Sequence, residues 1–452
     1  MENITQELSS QTDIAIEKKS RHEKESLFVK DGVNYLVPFI LVTSLFFIWG
    51  LANNMTDTLL SAFREIMSMS SLQTSFIQMS FYGAYFCFAL PAALFIRKYS
   101  YKSGIVLGLL MFATGGFLFY PAGSMASYPF YLIAIYILAA GCSILETTAN
   151  PFILSMGPEE TSTRRLNFAQ SFNPIGSITG LLISKYFILS ALATDTERDS
   201  MSEIEILKNQ SGELFAVSAP YMITGLIMFA VMAVFIFYPL PKSSDTDKSS
   251  MFEVLKRLLK NKHYSYGVVT QFFYVGAQIC TWSYLIQYIC SDSTLTPEEA
   301  STFSVISLAL FTGARFLFTY LMKFFKPALL LSGSAVMAVL CTAIVIFSSG
   351  TLAIIAIIGI SFFMSLMFPT IYGIALKGIG EDAKVGASGL IMAILGGALF
   401  PIIQGWIATK ASFTDPLTGE VLENFKLSYI VPFVCFVVVL FYGMFSLKNH
   451  RE

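Results

Sequence analysis

The chain has 452 residues, of which 55% are hydrophobic and only 13% charged, with a net charge of −1. A soluble domain carries about 25% charged residues, so this composition excludes an ordinary water-soluble enzyme and points to a polytopic chain solvated mainly by lipid. No basic stripe with interleaved aromatics lies outside the apolar segments, so no nucleic-acid partner is expected.

Residues 1–32 are polar and contain no apolar h-region. They predict a disordered cytoplasmic tail rather than a cleaved signal peptide. A helix needs about 20 largely apolar residues to cross the hydrocarbon core. That ruler finds twelve spans, at 35–61, 73–96, 103–122, 129–156, 165–190, 218–239, 265–289, 299–322, 327–348, 351–376, 383–409 and 428–447. The expected organisation is an N-terminal six-helix half over 33–240, a cytoplasmic linker over 241–264, a C-terminal six-helix half over 265–447 and a short tail over 448–452. The fold class is therefore an all-α integral membrane protein.

Ionisable groups inside a bilayer are costly and need a reason. Span 1 reads "FFIWGLANNMTDTLL", with Asn53, Asn54 and Asp57 on one helical face. Span 4 carries Glu146 and, four residues on, Asn150. Span 5 carries Gln170 and Asn173, followed by "NPIGSITGLL", a small-residue run that lets helices approach closely. The linker contains "MFEVLKRLLKNKH", whose apolar and basic spacing predicts an amphipathic helix along the membrane face. Span 7 carries Gln271, Tyr274, Gln278 and Trp282 as a stripe of amides and aromatics, and span 8 carries Arg315. Span 10 places Pro369 where span 4 has Pro151. Span 11, with "MAILGGALFPII", repeats the small-residue run of span 5. Two matched halves point to a transporter whose site lies between them near the midplane.

Placing the N-terminus in the cytoplasm puts 22 Lys and Arg on that side, six on the other and Arg315 within a span. The imbalance predicts both termini cytoplasmic. The six cysteines form no CxxC and lie in or beside apolar runs, so no metal site is expected. The histidines, His22, His263 and His450, lie outside the spans, which leaves proton chemistry to carboxylates.

A sugar presents hydroxyls around its ring and apolar C–H faces. Amides and carboxylates hydrogen-bond the former, and Trp and Tyr cover the latter while keeping a polar tip. A carboxyl in low dielectric is hard to ionise, so it can hold a proton in one half of a cycle and release it in the other. Proton handling is thus expected from Asp57 and Glu146 in the first half. An amide–aromatic wall is expected from the second. The competing structural readings are an Asp57 that bridges helices through its neighbouring amides, a Glu146 paired with Arg315, and a span-7 stripe that is ordinary packing.

"SLFFIWGLANNMTDTLL", "LETTANPF", "RLNFAQSFNPIGS", "SAPYM" and "QFFYVGAQICTWSYLI" carry a resemblance, running from about residue 35 to 440, to the fucose–galactose–glucose/proton symporters of the major facilitator superfamily. The resemblance implies that Asp57 is the main proton-coupling acid and that Glu146 serves both coupling and sugar binding. It implies that Asn54, Gln170 and Asn173 line the cavity, with Trp49, Gln278 and Trp282 in or near it. Tyr274 joins the substrate-binding set through the span-7 stripe. The chain departs from the family pattern at Thr56 and at Met367 and Phe368 before Pro369, and Arg97 stands where the superfamily's loop between spans 2 and 3 has an acid.

The expected function is import of a monosaccharide, L-fucose foremost, with a proton, in a bacterial cytoplasmic membrane. The expected partners are the sugar, the proton and the bilayer, for a monomer with no cofactor. Rivals are the same fold carrying glucose, galactose, mannose or an N-acetylhexosamine, and a sugar sensor that does not transport. No nucleophile–base pair, metal cluster or phosphate loop supports an enzyme.

Overall fold

The structure is a computed structural model that describes residues 27–193, 201–240, 249–414 and 421–449, apart from 31, 68, 70, 202 and 294. In the N-terminal half α1 spans Leu36–Ile66, α2 Ser71–Lys98, α3 Tyr101–Ser124 and α4 Tyr128–Ser155; α5 (Ser162–Gln170) and α6 (Asn173–Ile183) together make span 5, and α7 is Glu203–Phe237. After the connecting helix α8 (Met251–Lys260), span 7 is α9 (Lys262–Ser283) with α10 (Leu285–Asp292), followed by α11 (Pro297–Leu321) and α12 (Pro327–Phe347). Span 10 is α13 (Thr351–Met364) with α14 (Met367–Leu376), span 11 is α15 (Ala383–Met392) with α16 (Gly396–Lys410), and span 12 is α17 (Phe425–Ser428) with α18 (Ile430–Lys448).

The result is an all-α, twelve-helix membrane fold. Among the described residues, nine helices are long and apolar enough to cross a bilayer on their own. Spans 1, 5 and 7 fall outside that set. Span 5 is divided between α5 and α6 and span 7 between α9 and α10, and several side chains of span 1 from Asn53 on lie outside the described residues.

The repeat seen in the sequence is also a repeat in packing. Span 1 packs on span 5 and span 7 on span 11; span 2 packs on span 4 and span 8 on span 10; span 3 packs on spans 4 and 6, and span 9 on spans 10 and 12. The small-residue runs make the first of these pairs close. A Cβ on Gly176 would lie 1.8 Å from the carbonyl oxygen of Phe47, and a Cβ on Gly396 would lie 2.0 Å from that of Phe272. Only hydrogen fits there, so the backbones of spans 5 and 11 rest directly on those of spans 1 and 7.

One end of the bundle carries the chain's N-terminal segment, α8 and the end of α18, and most of the Lys and Arg; it is called the basic end below. Residues 1–26 of the expected tail lie outside the described residues. Among the described residues that follow, Val29–Lys30 pairs with Val33–Asn34, and the Phe28 ring lies 4.6 Å from that of Phe39. The 4–5 turn is held by buried Arg165, which donates to the carbonyl oxygens of Pro158 (2.8 Å) and Leu154 (2.8 Å). The linker helix α8 begins with a capping box of Ser250 and Glu253 and buries Val254 and Leu258. Its Arg257 takes both oxygens of Asp382 at the 10–11 turn, at 2.9 and 2.6 Å. At the opposite end Asp292 accepts from Lys426 (2.5 Å) and from the backbone N–H of Gly350 (2.8 Å), whose φ of +70° suits glycine. Asn209, which heads a sequon, lies within α7, where its side-chain amide donates to Glu213.

Candidate functional site

The halves meet closely toward the basic end, and hydrogen bonds join them at successive depths. At the surface the Gly378 N–H donates to Glu159 Oε1 (2.8 Å). Deeper, Asn167 Nδ2 donates to Thr370 Oγ1 (3.2 Å). Deepest, Arg315 Nη1 donates to the Gln170 carbonyl (3.1 Å). Above these contacts lies the polar centre of the molecule.

Glu146 is buried on α4, and the Tyr85 hydroxyl of α2 donates to its Oε1 at 2.9 Å. One turn further along α4, Asn150 Oδ1 accepts from Gln170 Nε2 of α5 at 2.9 Å. The patches on spans 4 and 5 are therefore one cluster. The Tyr372 hydroxyl of α14 faces this cluster from the other half, toward Asn150 and Glu146. Neither that hydroxyl nor Asn150 Nδ2 has a protein partner at ordinary hydrogen-bond distance, although both are fully buried. A buried donor left unmade costs about 1–3 kcal/mol, so this pair is suited to a hydroxyl-bearing ligand or water entering between the halves.

On span 5, Asn173 Nδ2 donates to the Phe46 carbonyl (3.2 Å), so it fastens span 5 to span 1 as well as lying next to the cluster. Trp49 is buried against the Phe46 ring at 4.2 Å. Asn54 is half-buried and has an interaction partner. Asp57 lies on α1, but its side chain is outside the described residues, as is that of Asn53.

The span-7 stripe divides. Tyr274 is fully buried and donates to the Met364 carbonyl (2.9 Å), which ties span 7 to the middle of span 10. Gln271 is also fully buried, and neither of its amide atoms has a partner. Gln278 and Trp282 are half-buried. The Trp282 indole N–H donates to Ser361 Oγ (3.1 Å), with its ring edge-on to Phe311 at 5.0 Å.

Arg315 does not pair with Glu146. Its Nε donates to the Ser365 carbonyl (2.6 Å), its Nη1 to that of Gln170, and its guanidinium lies 4.5 Å over the Phe311 ring. The ion-pair alternative for Glu146 is thereby replaced by the Tyr85 hydrogen bond. Sequence reasoning missed Tyr85, Thr370 and Tyr372. Nothing distinguishes a tyrosine in "FYGAYF" from its aromatic neighbours, whereas "PTIYG" after a proline in a cavity helix is a signal that could have marked Tyr372. No group of three or more His, Cys, Asp or Glu suited to a metal occurs among the described residues.

Residues 42–401 match the profile of the Major Facilitator Superfamily. The chain is 41% identical over 426 residues to a Haemophilus influenzae protein named L-fucose-proton symporter, covering 92% of this chain and 97% of the relative. It is 34% identical over 420 residues to the Escherichia coli protein of the same name, covering 91% and 93%. A crystal structure of the E. coli fucose:proton symporter superposes with a TM-score of 0.83 at 33% identity, over 91% of this chain and 99% of that one. A Brucella abortus protein named glucose/galactose transporter is more distant, at 31% identity over 421 residues, 92% of this chain and 95% of the relative. With the profile, the helix order and the packing repeat in agreement, the chain belongs to the Major Facilitator Superfamily and groups there with the L-fucose-proton symporters.

Proposed function

We propose that the chain imports a monosaccharide together with a proton by alternating access, with L-fucose as its foremost substrate. The observation that carries the reading is the buried Glu146, hydrogen-bonded by Tyr85 and flanked by the Asn150–Gln170 pair, where the two halves meet. An acid in that position, with amides on one side and Trp282 and Phe311 across the interface, has the chemistry to bind a sugar and a proton together. The names of the relatives select the cargo, since those at 41% and 34% identity are named for L-fucose and that at 31% for glucose and galactose.

Asp57 and Glu146 are the proton-coupling acids in this reading. Asn54, Glu146, Gln170, Asn173, Gln278 and Trp282 contact the sugar, while Trp49 and Tyr274 support the cavity wall from the packed positions described. The chain acts as a monomer in a bacterial cytoplasmic membrane with the basic end inside, in keeping with the excess of Lys and Arg there, and catalyses no covalent reaction. In this orientation the described conformation is closed inward. A proton crossing 100 mV supplies about 2.3 kcal/mol, which sustains roughly 50-fold accumulation.

Uptake of labelled L-fucose into proteoliposomes, competed by unlabelled sugars, tests the reading. L-Fucose is expected to compete best, with glucose and galactose weaker. Uptake of glucose or galactose in preference to L-fucose would transfer the cargo to the other branch, and sugar binding without uptake would make the chain a sensor.

A further inference from the structure

Arg315 is a buried cation in the membrane interior, and the Glu146 carboxylate is not its partner. Among the described residues its two hydrogen-bond acceptors are main-chain carbonyls, and both are carbonyls that a proline has set free. In a helix the carbonyl of residue i accepts from the N–H of residue i+4. Proline has no N–H. Pro174 stands four residues after Gln170, and Pro369 four residues after Ser365. The freed carbonyls are the two that Arg315 takes, Gln170 through Nη1 and Ser365 through Nε. They also mark the breaks between α5 and α6 and between α13 and α14, where the ends of half-helices present partial negative charge.

The two carbonyls lie in different halves. Ser365 belongs to the same half as Arg315, so that bond, together with the Phe311 ring, fixes the guanidinium in place. The Gln170 bond crosses the interface. It is the deepest of the inter-half hydrogen bonds described, below the Asn150–Gln170 pair and above Asn167–Thr370.

We propose that Arg315 is the inter-half clasp of the transport cycle, a positioning residue that holds the basic end shut by binding the Pro174-freed carbonyl of one half while anchored on the Pro369-freed carbonyl of the other. The proposal rests on the alternating-access reading above. Opening toward the basic end breaks the Gln170 bond and leaves the Ser365 bond intact. The same Gln170 supplies the side chain that meets Asn150 beside Glu146, so occupancy of the sugar and proton site acts on the residue that the clasp holds. The planar guanidinium is required because one head serves each carbonyl; the single ammonium of a lysine cannot hold both in that geometry.

The test is the distance between spin labels at Glu160→Cys and Lys326→Cys, exposed positions of the two halves at the basic end, in a full-length chain with exposed Cys87 replaced by Ala. Arg315→Met is expected to raise the long-distance population several-fold over the Arg315 chain, and Arg315→Lys to give a smaller rise. Pro174→Ala leaves Arg315 in place but returns an N–H to compete for the Gln170 carbonyl, so it is expected to shift the population in the same direction. Pro369→Ala acts within one half and is expected to shift it less. If Arg315→Met fails to fold, Pro174→Ala decides the matter. Distance distributions for Arg315→Met, or for Pro174→Ala where it alone folds, that coincide with those of the unsubstituted chain would overturn the clasp. The native chain's proton-driven L-fucose uptake, measured separately, tests the transport reading itself.

Discussion

The Tyr85 hydroxyl donates to Oε1 of Glu146 at 2.9 Å, from a helix that also packs against α15 of the opposite half. The acid of one half is thus contacted through an element of the moving interface. A hydrogen bond to an ionised group contributes about 1.5–3 kcal/mol. Tyr85→Phe is expected to lower proton-driven sugar uptake by roughly ten-fold or more and to alter its pH profile, while sugar exchange at equilibrium persists. Parallel uptake and exchange assays at several pH values check this. Equal losses in both would assign Tyr85 a role in folding alone.

Glu146→Gln keeps the shape and hydrogen-bonding capacity of the side chain but cannot ionise. Uptake driven by a proton gradient is expected to fall by two orders of magnitude or so, as when a group needed for a step is removed, and the remaining exchange is expected to become independent of pH. Isothermal titration with L-fucose checks that binding survives. A variant that still concentrates sugar along a proton gradient would remove Glu146 from the coupling.

Of the three tryptophans, Trp49 is buried on Phe46, Trp406 is largely exposed on the outer surface of the bundle and Trp282 is half-buried beside Phe311. Sugar binding is therefore expected to change the emission of Trp282. The change should vanish in Trp282→Phe and remain in Trp406→Phe. Persistence of the full signal in Trp282→Phe would place the sugar elsewhere.

Gly176 lies where a Cβ would meet the Phe47 carbonyl oxygen at 1.8 Å. Gly176→Ala must push spans 1 and 5 apart, at a cost of about 1–3 kcal/mol. Thermal unfolding in detergent is expected to shift downward, with a similar effect for Gly396→Ala in the matching position of the other half. Gly83, where a Cβ meets nothing within 4 Å, serves as the control and is expected to tolerate alanine.

The spans were legible because their sequence runs have about the length and apolarity that a bilayer imposes, even where the helix itself is broken, as in spans 5 and 7, and the repeat was legible because its small-residue runs recur. That Glu146 and Asn150 share a face of span 4, and Gln170 and Asn173 one of span 5, was readable from helical spacing; that Gln170 meets Asn150 was not, because spacing within a helix does not say which helix lies beside it. Tyr85 and Tyr372 were hidden because the chain has 21 Tyr and 42 Phe, and an aromatic residue fits a lipid-facing, core or cavity position equally well. The partners of Arg315 were hidden for another reason: they are main-chain atoms, and the sequence marks them only through prolines four residues away. The stripe on span 7 shows the limit of spacing as a guide. Tyr274 and Trp282 both donate to span 10, one to the Met364 carbonyl and one to the Ser361 hydroxyl, but the first is fully buried and the second half-buried, a difference that spacing does not give.

The central claim is that sugar entry is coupled to a proton through the acids of the N-terminal half. The most direct measurement is uptake of labelled L-fucose into proteoliposomes, with and without an inward proton gradient, for the native chain and for Asp57→Asn. The account expects native uptake to rise above equilibrium only with the gradient, and the variant to bind L-fucose without concentrating it. Native uptake that ignores the gradient, with Asp57→Asn equally active, would contradict it and make the protein a passive sugar carrier.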